Sequence, residues 1–208
     1  ICYNICKQNA ERGISMDTRE RILEGMLELI RENGLEKASI GTLAKKIKIS
    51  PGNIYYYFSG KTEILNTLYF YCFDKMITSA GENLYQDVEG NYTPETTRSG
   101  MKKFLKGIVV FYRENPHMLN YMVTAKSSSY LSGDIKNRMV NPVISYKDFL
   151  DEIKEQGIIK NLDTDTIFLF LRTVTYEFLK QDILLHNITL DDKKINDLVD
   201  LLLTGIFI

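Results

Sequence analysis

Apolar residues recur every three or four positions along most of the chain, and caps, glycines and prolines separate the runs. This period is typical of amphipathic α-helices, whereas no segment alternates apolar and polar residues long enough to predict a strand. The sequence therefore predicts an all-α protein of nine helices. It has no repeat at a fixed period and no low-complexity tract, which disfavours solenoid and disordered proteins.

Each predicted helix begins at a residue that favours a helix N-terminus, and most end near a glycine, a proline or a serine run. The predicted starts, in chain order, are Asp17, Ser39, Ser50, Ser59 or Gly60, Thr93, Pro116, Asp134, Asp163 and Thr189. Asp17 and Thr189 are each followed three residues later by an acid, Glu20 and Asp192, which is the capping-box pattern. The second and third helices are short, and a turn of about four residues joins them.

Residues 37–62 cover these two short helices and contain five lysines, three consecutive tyrosines and no acid, although the 208-residue chain has a net charge of −1. Because three adjacent tyrosines span about 200° of a helix, at least one must point away from the core. Tyr57 and Phe58 project to one side of the third helix, and Gly52 and Tyr56 project to the other. The turn spacing, the charge and an outward aromatic residue predict a helix-turn-helix whose third helix enters the DNA major groove.

Other interpretations of the same residues are open. In one, the tyrosines pack on helix one and the lysines form only a solvated face. In another, the chain is a helical interaction module or a constitutive DNA-binding module without a small-molecule switch, which agrees with its slightly acidic balance. An enzyme is disfavoured, because His117 and His186 are far apart in sequence and no cysteine or carboxylate motif surrounds them.

Three segments of this region carry a family resemblance. Residues 42–44 (TLA), 49–58 (ISPGNIYYYF) and 61–65 (KTEIL) resemble the DNA-binding signature of TetR/AcrR-type transcriptional regulators. The resemblance is specific over residues 17–66, and its register is unbroken. One position departs from the pattern, because Lys48 stands where members usually have a glycine with a left-handed backbone. A non-glycine residue there costs about 1 kcal/mol, and Lys48 adds a positive charge beside the expected DNA.

The resemblance implies an all-helical homodimer and assigns roles to particular residues. Bases are expected to face Gly52, Asn53 and Tyr56. The residues expected to hold phosphates are Ser39, Thr42, Ser50, Tyr55, Tyr57 and Lys61. Lys48 in the turn and Pro51 at the start of the third helix complete the predicted DNA-binding set. The chain is expected to divide into an N-terminal arm or added sequence (1–16), the helix-turn-helix domain (17–62), a connecting fourth helix (63–85) and a ligand-binding and dimerisation domain (86–208).

The C-terminal half is rich in aromatic residues and methionines, which line ligand pockets but also fill ordinary cores. By the resemblance, an apolar or aromatic effector is expected there. The residues predicted to contact it are Phe104, Phe111, His117, Tyr121, Met122, Phe149, Tyr176 and Glu177. Apolar stripes on the last two helices predict a dimer interface that includes Leu171, Phe178, Leu179, Leu198, Val199 and Leu202.

Three cysteines, Cys2, Cys6 and Cys72, are odd in number and unevenly spaced, which argues against a disulfide framework. No apolar run approaches the roughly 20 residues that span a bilayer, and the start lacks a secretory signal pattern. We therefore expect a cytoplasmic regulator without a metal, a cofactor or a membrane partner. Its expected partners are a palindromic DNA operator, a small-molecule effector that releases the repressor, and a second copy of the chain.

Overall fold

The computed structural model describes residues 17–85, 92–131 and 140–208, and nine α-helices form within these ranges. They are α1 (Thr18–Asn33), α2 (Ile40–Ile47), α3 (Pro51–Tyr57), α4 (Lys61–Tyr85), α5 (Pro94–Glu114), α6 (Pro116–Lys126), α7 (Val140–Glu155), α8 (Thr164–Leu179) and α9 (Asp192–Ile206). In these ranges no strand forms, and Ile159 and Phe207 make an isolated antiparallel bridge. The predicted all-α class is confirmed. None of the described helices is long and apolar enough to cross a membrane.

Side-chain caps form at four of the predicted helix starts. The Ser39 hydroxyl accepts a hydrogen bond from the Thr42 amide at 3.2 Å, and the Thr42 hydroxyl accepts one from the Ser39 amide at 3.1 Å. Similar caps begin α3, α5 and α8, where the capping residues are Ser50, Thr93 and Asp163. Because these signals are local, the sequence predicts them correctly.

Two predicted capping boxes are wrong. Asp17 precedes α1, but its side chain makes no cap hydrogen bond, and Glu20 accepts a hydrogen bond from the Tyr71 hydroxyl at 2.9 Å instead. The last helix begins after Asp191 rather than at Thr189. Leu190, between these two residues, is completely buried, and its amide donates to the Asp182 carboxylate at 3.0 Å. That tertiary contact delays the start of α9.

The predicted bounds of α7 and α8 do not both agree with the structure. The predicted start of α7 at Asp134 falls outside the described residues. The sequence predicts that the eighth helix runs from its cap at Asp163 to about His186, but its α-helical part ends at Leu179, and one π-helical turn follows over Lys180–Leu184. His186 then adopts a left-handed backbone with φ 53°.

The chain forms two compact units. Unit 1 consists of Ile1–Asp74 and His117–Met139, and unit 2 consists of Lys75–Pro116 and Val140–Ile208. Helix α4 therefore contributes residues to both units. The division into functional domains at residues 16, 62 and 85 stays a prediction.

Unit 1 has a core built mainly from α1 to α4. The side chains with at most 2% exposure in this core include Ile22, Leu23, Met26, Leu27, Leu43, Ile54, Phe58, Ile64, Leu65 and Leu68. Helices α1 and α2 approach closely at Gly25, where an added Cβ would lie only 2.3 Å from Ile47 Cγ2. The Arg21 guanidinium also donates to the Ile47 carbonyl at 3.1 Å. These contacts fix the short helix pair on α1.

Unit 2 is built around the packing of α9 along α5. Lys102 on α5 forms an ion pair with Asp200 on α9, with 3.1 Å between the ammonium nitrogen and the carboxylate oxygen. At Gly107, an added Cβ would lie 3.0 Å from the Ala80 Cα of α4, which indicates a close helix crossing. The fully buried Tyr112 places its hydroxyl 2.8 Å from that of Tyr176 on α8.

Candidate nucleic-acid interface

The turn between α2 and α3 has the backbone of a helix-turn-helix. Lys48 ends α2 in the left-handed conformation, with φ 56° and ψ 47°, and the next amide, of Ile49, donates to the Ala44 carbonyl at 3.1 Å. The left-handed backbone expected at this position is therefore present. An L-residue loses about 1 kcal/mol in this conformation. The Lys48 side chain is exposed, so its charge faces solvent beside α3.

Helix α3 has a buried face and an exposed face. Ile54 and Phe58 are 0% and 1% exposed, whereas Tyr55 and Tyr56 are 55% and 83% exposed. Tyr57 is partly buried, and its ring lies edge-on to that of Tyr56 with 5.0 Å between the centroids. The three tyrosines thus diverge, as the helical geometry requires.

The first turn of α3 is exposed and includes a glycine. Pro51, Gly52 and Asn53 are exposed, and a Cβ at Gly52 would meet only Ser50 Oγ, at 3.7 Å. Another backbone can therefore approach this turn of the helix closely. The Asn53 amide is of the type that pairs with the edge of an adenine in the major groove.

The predicted phosphate-binding hydroxyls of Ser39, Thr42 and Ser50 all take part in helix caps. Ser50 Oγ accepts from the Asn53 amide at 3.2 Å, and Thr42 Oγ1 donates to the Ser39 carbonyl at 2.9 Å. A hydroxyl that accepts a backbone hydrogen bond still has a proton to donate. Because Ser50 is exposed, its hydroxyl can cap α3 and donate to a phosphate at the same time.

The five lysines of residues 37–62 have different surroundings. Lys37, Lys45 and Lys48 are exposed. Lys46 forms an ion pair with Glu32 of α1 at 2.8 Å. Lys61, which the family resemblance assigns to a phosphate, instead donates from its ammonium to the carbonyls of Leu35 and Glu36, at 2.9 Å and 3.3 Å. The Tyr130 ring lies beside the same ammonium, 4.7 Å from the ring centroid.

The contacts of Lys61 change its predicted role and identify two further residues beside it, Tyr130 and Glu36. Lys61 is engaged within unit 1 in this structure, so its expected phosphate contact requires a rearrangement. The sequence did not predict Tyr130 and Glu36 as neighbours of Lys61, because both contacts join parts of the chain that are distant in sequence. Neither residue belongs to the helix-turn-helix motif, so no local pattern could have identified them.

The residues predicted to contact an effector fall in both units. Those in unit 1 are His117, Tyr121 and Met122, and those in unit 2 are Phe104, Phe111, Phe149, Tyr176 and Glu177. Tyr121 is completely buried, and its hydroxyl donates to the Leu65 carbonyl of α4. Burial raises the pKa of this phenol. Tyr121 therefore bridges α6 and α4 rather than offering a free polar group to a ligand.

In unit 2, the polar groups among the predicted ligand residues already have partners. The Tyr176 hydroxyl pairs with Tyr112, which sequence analysis did not include. Glu177 is exposed and accepts a hydrogen bond from the Gln181 amide at 2.7 Å. Phe104 and Phe111 are each 7% exposed, so both belong to the packed interior.

The residues predicted at the dimer interface are mostly inside the chain's own core. Five of them are at most 3% exposed, namely Leu171, Leu179, Leu198, Val199 and Leu202. Since a buried side chain offers a partner little surface, these five are corrected to core positions. Phe178 is 37% exposed. The other exposed large apolar side chains on α8 and α9 are Leu169, Phe170 and Leu201.

Comparisons with known proteins agree with this geometry. Residues 22–68 match the family model described as bacterial regulatory proteins, tetR family. The HTH-type transcriptional regulator SrpR of Pseudomonas putida is 23% identical over 159 residues, which cover 72% of this chain and 68% of that protein. An uncharacterised HTH-type transcriptional regulator of Bacillus subtilis, YvdT, is 44% identical over 46 residues, which cover 22% of this chain and 24% of that protein.

The fold likeness extends over nearly the whole chain. The crystal structure of a TetR family transcription regulator from Marinobacter aquaeolei matches with a TM-score of 0.75 at 20% identity, covering 91% of this chain and 95% of that one. The proteins compared are named as transcriptional regulators, which agrees with the expectation that the chain is not an enzyme. Residues 22–68 therefore match the tetR family of bacterial regulatory proteins, and most of the chain shares the fold of a TetR family transcription regulator.

Proposed function

We propose that the chain represses transcription as a homodimer, which binds a palindromic operator and is released by a small apolar or aromatic effector. The observation that carries the DNA-binding part is the division of α3 into two faces. Ile54 is fully buried while Tyr56, two residues later, is 83% exposed. A seven-residue helix held by a buried side chain, with a large exposed aromatic residue opposite, suits insertion into the major groove.

The exposed residues in and before α3 have distinct parts in this proposal. Gly52 admits the DNA backbone, Asn53 pairs with a base edge, and Tyr56 contacts a thymine methyl or a sugar. Tyr55 and the Ser50 hydroxyl donate to phosphates, which fixes the register of the protein on the duplex. Lys48 contributes charge from the turn.

The proposed dimer uses the exposed apolar residues of α8 and α9. Leu169, Phe178 and Leu201 are 52%, 37% and 72% exposed, so their apolar side chains are accessible to a partner. A two-fold contact through these helices would present two copies of α3 to half-sites about 34 Å apart or a multiple of that distance. A roughly palindromic operator follows from this symmetry.

The proposed release by an effector requires different affinities for two states of the protein. Helix α4 contributes residues to both units, so it is the helix through which a ligand in the C-terminal half can act on α1 to α3. In unit 1, the Tyr121 hydroxyl of α6 donates to the Leu65 carbonyl of α4. A displacement of α6 can therefore also move α4. An effector that binds the released state more tightly than the DNA-bound state lowers DNA affinity. The loss of DNA-binding free energy equals the loss of effector-binding free energy that DNA causes.

The test is fluorescence anisotropy of labelled duplexes that carry the DNA flanking the protein's own gene, compared with shuffled duplexes at several salt concentrations. Tight, sequence-selective and salt-sensitive binding is expected, and Tyr56→Ala should weaken it at least tenfold. Leu162→Ala is the matched control, because this exposed apolar residue precedes α8 and lies outside the proposed DNA contacts. Equal binding to shuffled DNA, or no loss in Tyr56→Ala, contradicts operator recognition by α3. Operator binding that no effector candidate alters leaves a constitutive DNA-binding module.

A further inference from the structure

The turn after α6 contacts the loop between α1 and α2 and the first residue of α4, all within unit 1. This turn spans residues 127–131, and hydrogen bonds from the Ser127 and Ser128 amides to the Thr124 and Ala125 carbonyls organise it. At its end, the Tyr130 hydroxyl donates to the Glu36 carboxylate at 3.1 Å. The Tyr130 ring faces the Lys61 ammonium at 4.7 Å.

Groups of unit 1 accept hydrogen bonds from the Lys61 ammonium. It has three protons to donate, and the Leu35 and Glu36 carbonyls accept at 2.9 Å and 3.3 Å. The remaining side of the cation faces the Tyr130 ring, whose π-electrons attract a positive charge. The Glu36 carboxylate, held by the Tyr130 hydroxyl, adds a negative charge to the same cluster. A DNA phosphate would have to displace these groups to bind Lys61.

We infer that Tyr130 and Glu36 act as a latch that withholds Lys61 from DNA phosphates, and that opening the latch strengthens DNA binding by one phosphate contact. This inference rests on the proposed function. The latch consists of Lys61, Glu36 and Tyr130 with the Leu35 carbonyl. DNA and the turn after α6 compete for one ammonium group, so the position of the turn sets the affinity of the DNA-binding helices.

The turn after α6 lies in the chain between two segments of unit 2, so a change in unit 2 can act on the latch. The chain passes from unit 2 into unit 1 at His117, and from unit 1 back to unit 2 at Val140. Tyr130 lies between these two points. A change in unit 2 that displaces Tyr130 can therefore reach Lys61 through the ring contact, without first moving the rest of α4.

The salt dependence of DNA binding tests the latch. Tyr130→Ala removes both the ring and the hydroxyl, and Ser129→Ala is the matched control at the exposed neighbouring position of the same turn. The slope of log affinity against log salt should become steeper by about 0.9 in Tyr130→Ala, which corresponds to one added phosphate. The ratio of variant to wild-type affinity should then grow by about 3.5-fold between 200 mM and 50 mM salt. Ser129→Ala should match the wild type.

Two further variants separate the groups of the latch. Tyr130→Phe keeps the ring and removes the hydrogen bond to Glu36, so its slope should lie between those of the wild type and Tyr130→Ala. In a Lys61→Gln background, Tyr130→Ala should have no effect on the slope, because the competing ammonium is gone. An unchanged slope in Tyr130→Ala, or an equal effect in the Lys61→Gln background, overturns the latch. Circular dichroism confirms that each variant keeps its helices.

Chemical labelling tests the contact without DNA. An amine-acylating reagent should modify Lys61 slowly in the wild type and several-fold faster in Tyr130→Ala, with the exposed Lys37 and Lys45 as internal references. Equal Lys61 labelling in both proteins overturns the latch. If no variant binds DNA at any salt concentration, the proposed function fails, and faster labelling of Lys61 in Tyr130→Ala would still support the latch contact.

Discussion

The close approach of α1 and α2 gives a quantitative test of how the DNA-binding helices are packed. In Gly25→Ala, the new Cβ would lie 2.3 Å from Ile47 Cγ2 and 3.1 Å from Leu43 Cδ1. Ordinary carbon contacts begin at about 3.5 Å, so the two helices must separate by about 1 Å or Ile47 must change rotamer. Ile47 is β-branched and has one strongly preferred χ1 rotamer in a helix, so moving Cγ2 by rotation is also costly.

Two opposing effects set the expected change in the free energy of unfolding of Gly25→Ala. Overpacking of this kind destabilises a protein by about 1–3 kcal/mol, whereas exchanging glycine for alanine inside a helix recovers about 1 kcal/mol. Gly25→Ala should therefore lower the free energy of unfolding of this region by up to about 2 kcal/mol. Gly41→Ala is the matched control in α2, because no heavy atom lies within 4 Å of its new Cβ. It should be neutral or stabilising by up to about 1 kcal/mol.

Hydrogen exchange measured by mass spectrometry on peptides of α1 and α2 is the suitable assay, because a chain with two compact units need not unfold in one step. Exchange in these peptides should be faster in Gly25→Ala and unchanged or slower in Gly41→Ala. Adding Ile47→Ala removes the clashing methyl group, so the double variant should lose less stability than the sum of the two single changes. A Gly25→Ala protein as well protected as Gly41→Ala would refute the packing.

Two other predictions concern the phenol of Tyr71 and the dimer. Burial, followed by hydrogen bonds to Glu24 and Glu20, raises the pKa of Tyr71 well above its ordinary value of 10.0. The folded state then keeps a proton that the unfolded chain loses, so this stabilisation is present below about pH 10 and is lost as the pH rises further. Between about pH 9 and 11, the unfolding free energy of the wild type should fall more steeply than that of Tyr71→Phe, and parallel curves would contradict the contact. For the dimer, Leu201→Glu should shift sedimentation equilibrium towards the monomer while Leu162→Glu does not, and identical masses would exclude Leu201 from the interface.

Local signals allowed the sequence to predict most of the fold. Ser39 and Ser50 cap their helices through atoms only three residues away, so the pattern contains all the information that the cap needs. The division of α3 into two faces follows from helical geometry alone, and Ile54 and Tyr56 confirm it. The left-handed backbone of Lys48 was expected from the family resemblance.

Contacts between distant segments account for the failures. Glu20 does not form its capping box, because its carboxylate accepts a hydrogen bond from Tyr71, which lies 51 residues away in the chain. Lys61 is engaged by Tyr130 and by two carbonyls, none of which a motif includes. An apolar stripe also cannot distinguish a core from an interface, and for that reason Leu198 and Leu202 were assigned to a partner although they are buried in their own chain.

The central claim is that α3 lies in the DNA major groove. Dimethyl sulfate footprinting of the DNA flanking the protein's own gene, with the wild type and with Tyr56→Ala, tests it most directly, because the reagent methylates guanine N7 in the major groove. The wild type should protect two symmetric patches whose centres are about 10 base pairs apart or a multiple of that spacing, and Tyr56→Ala should lose both. Protection that persists in Tyr56→Ala, or a duplex without any protected patch, would contradict the claim.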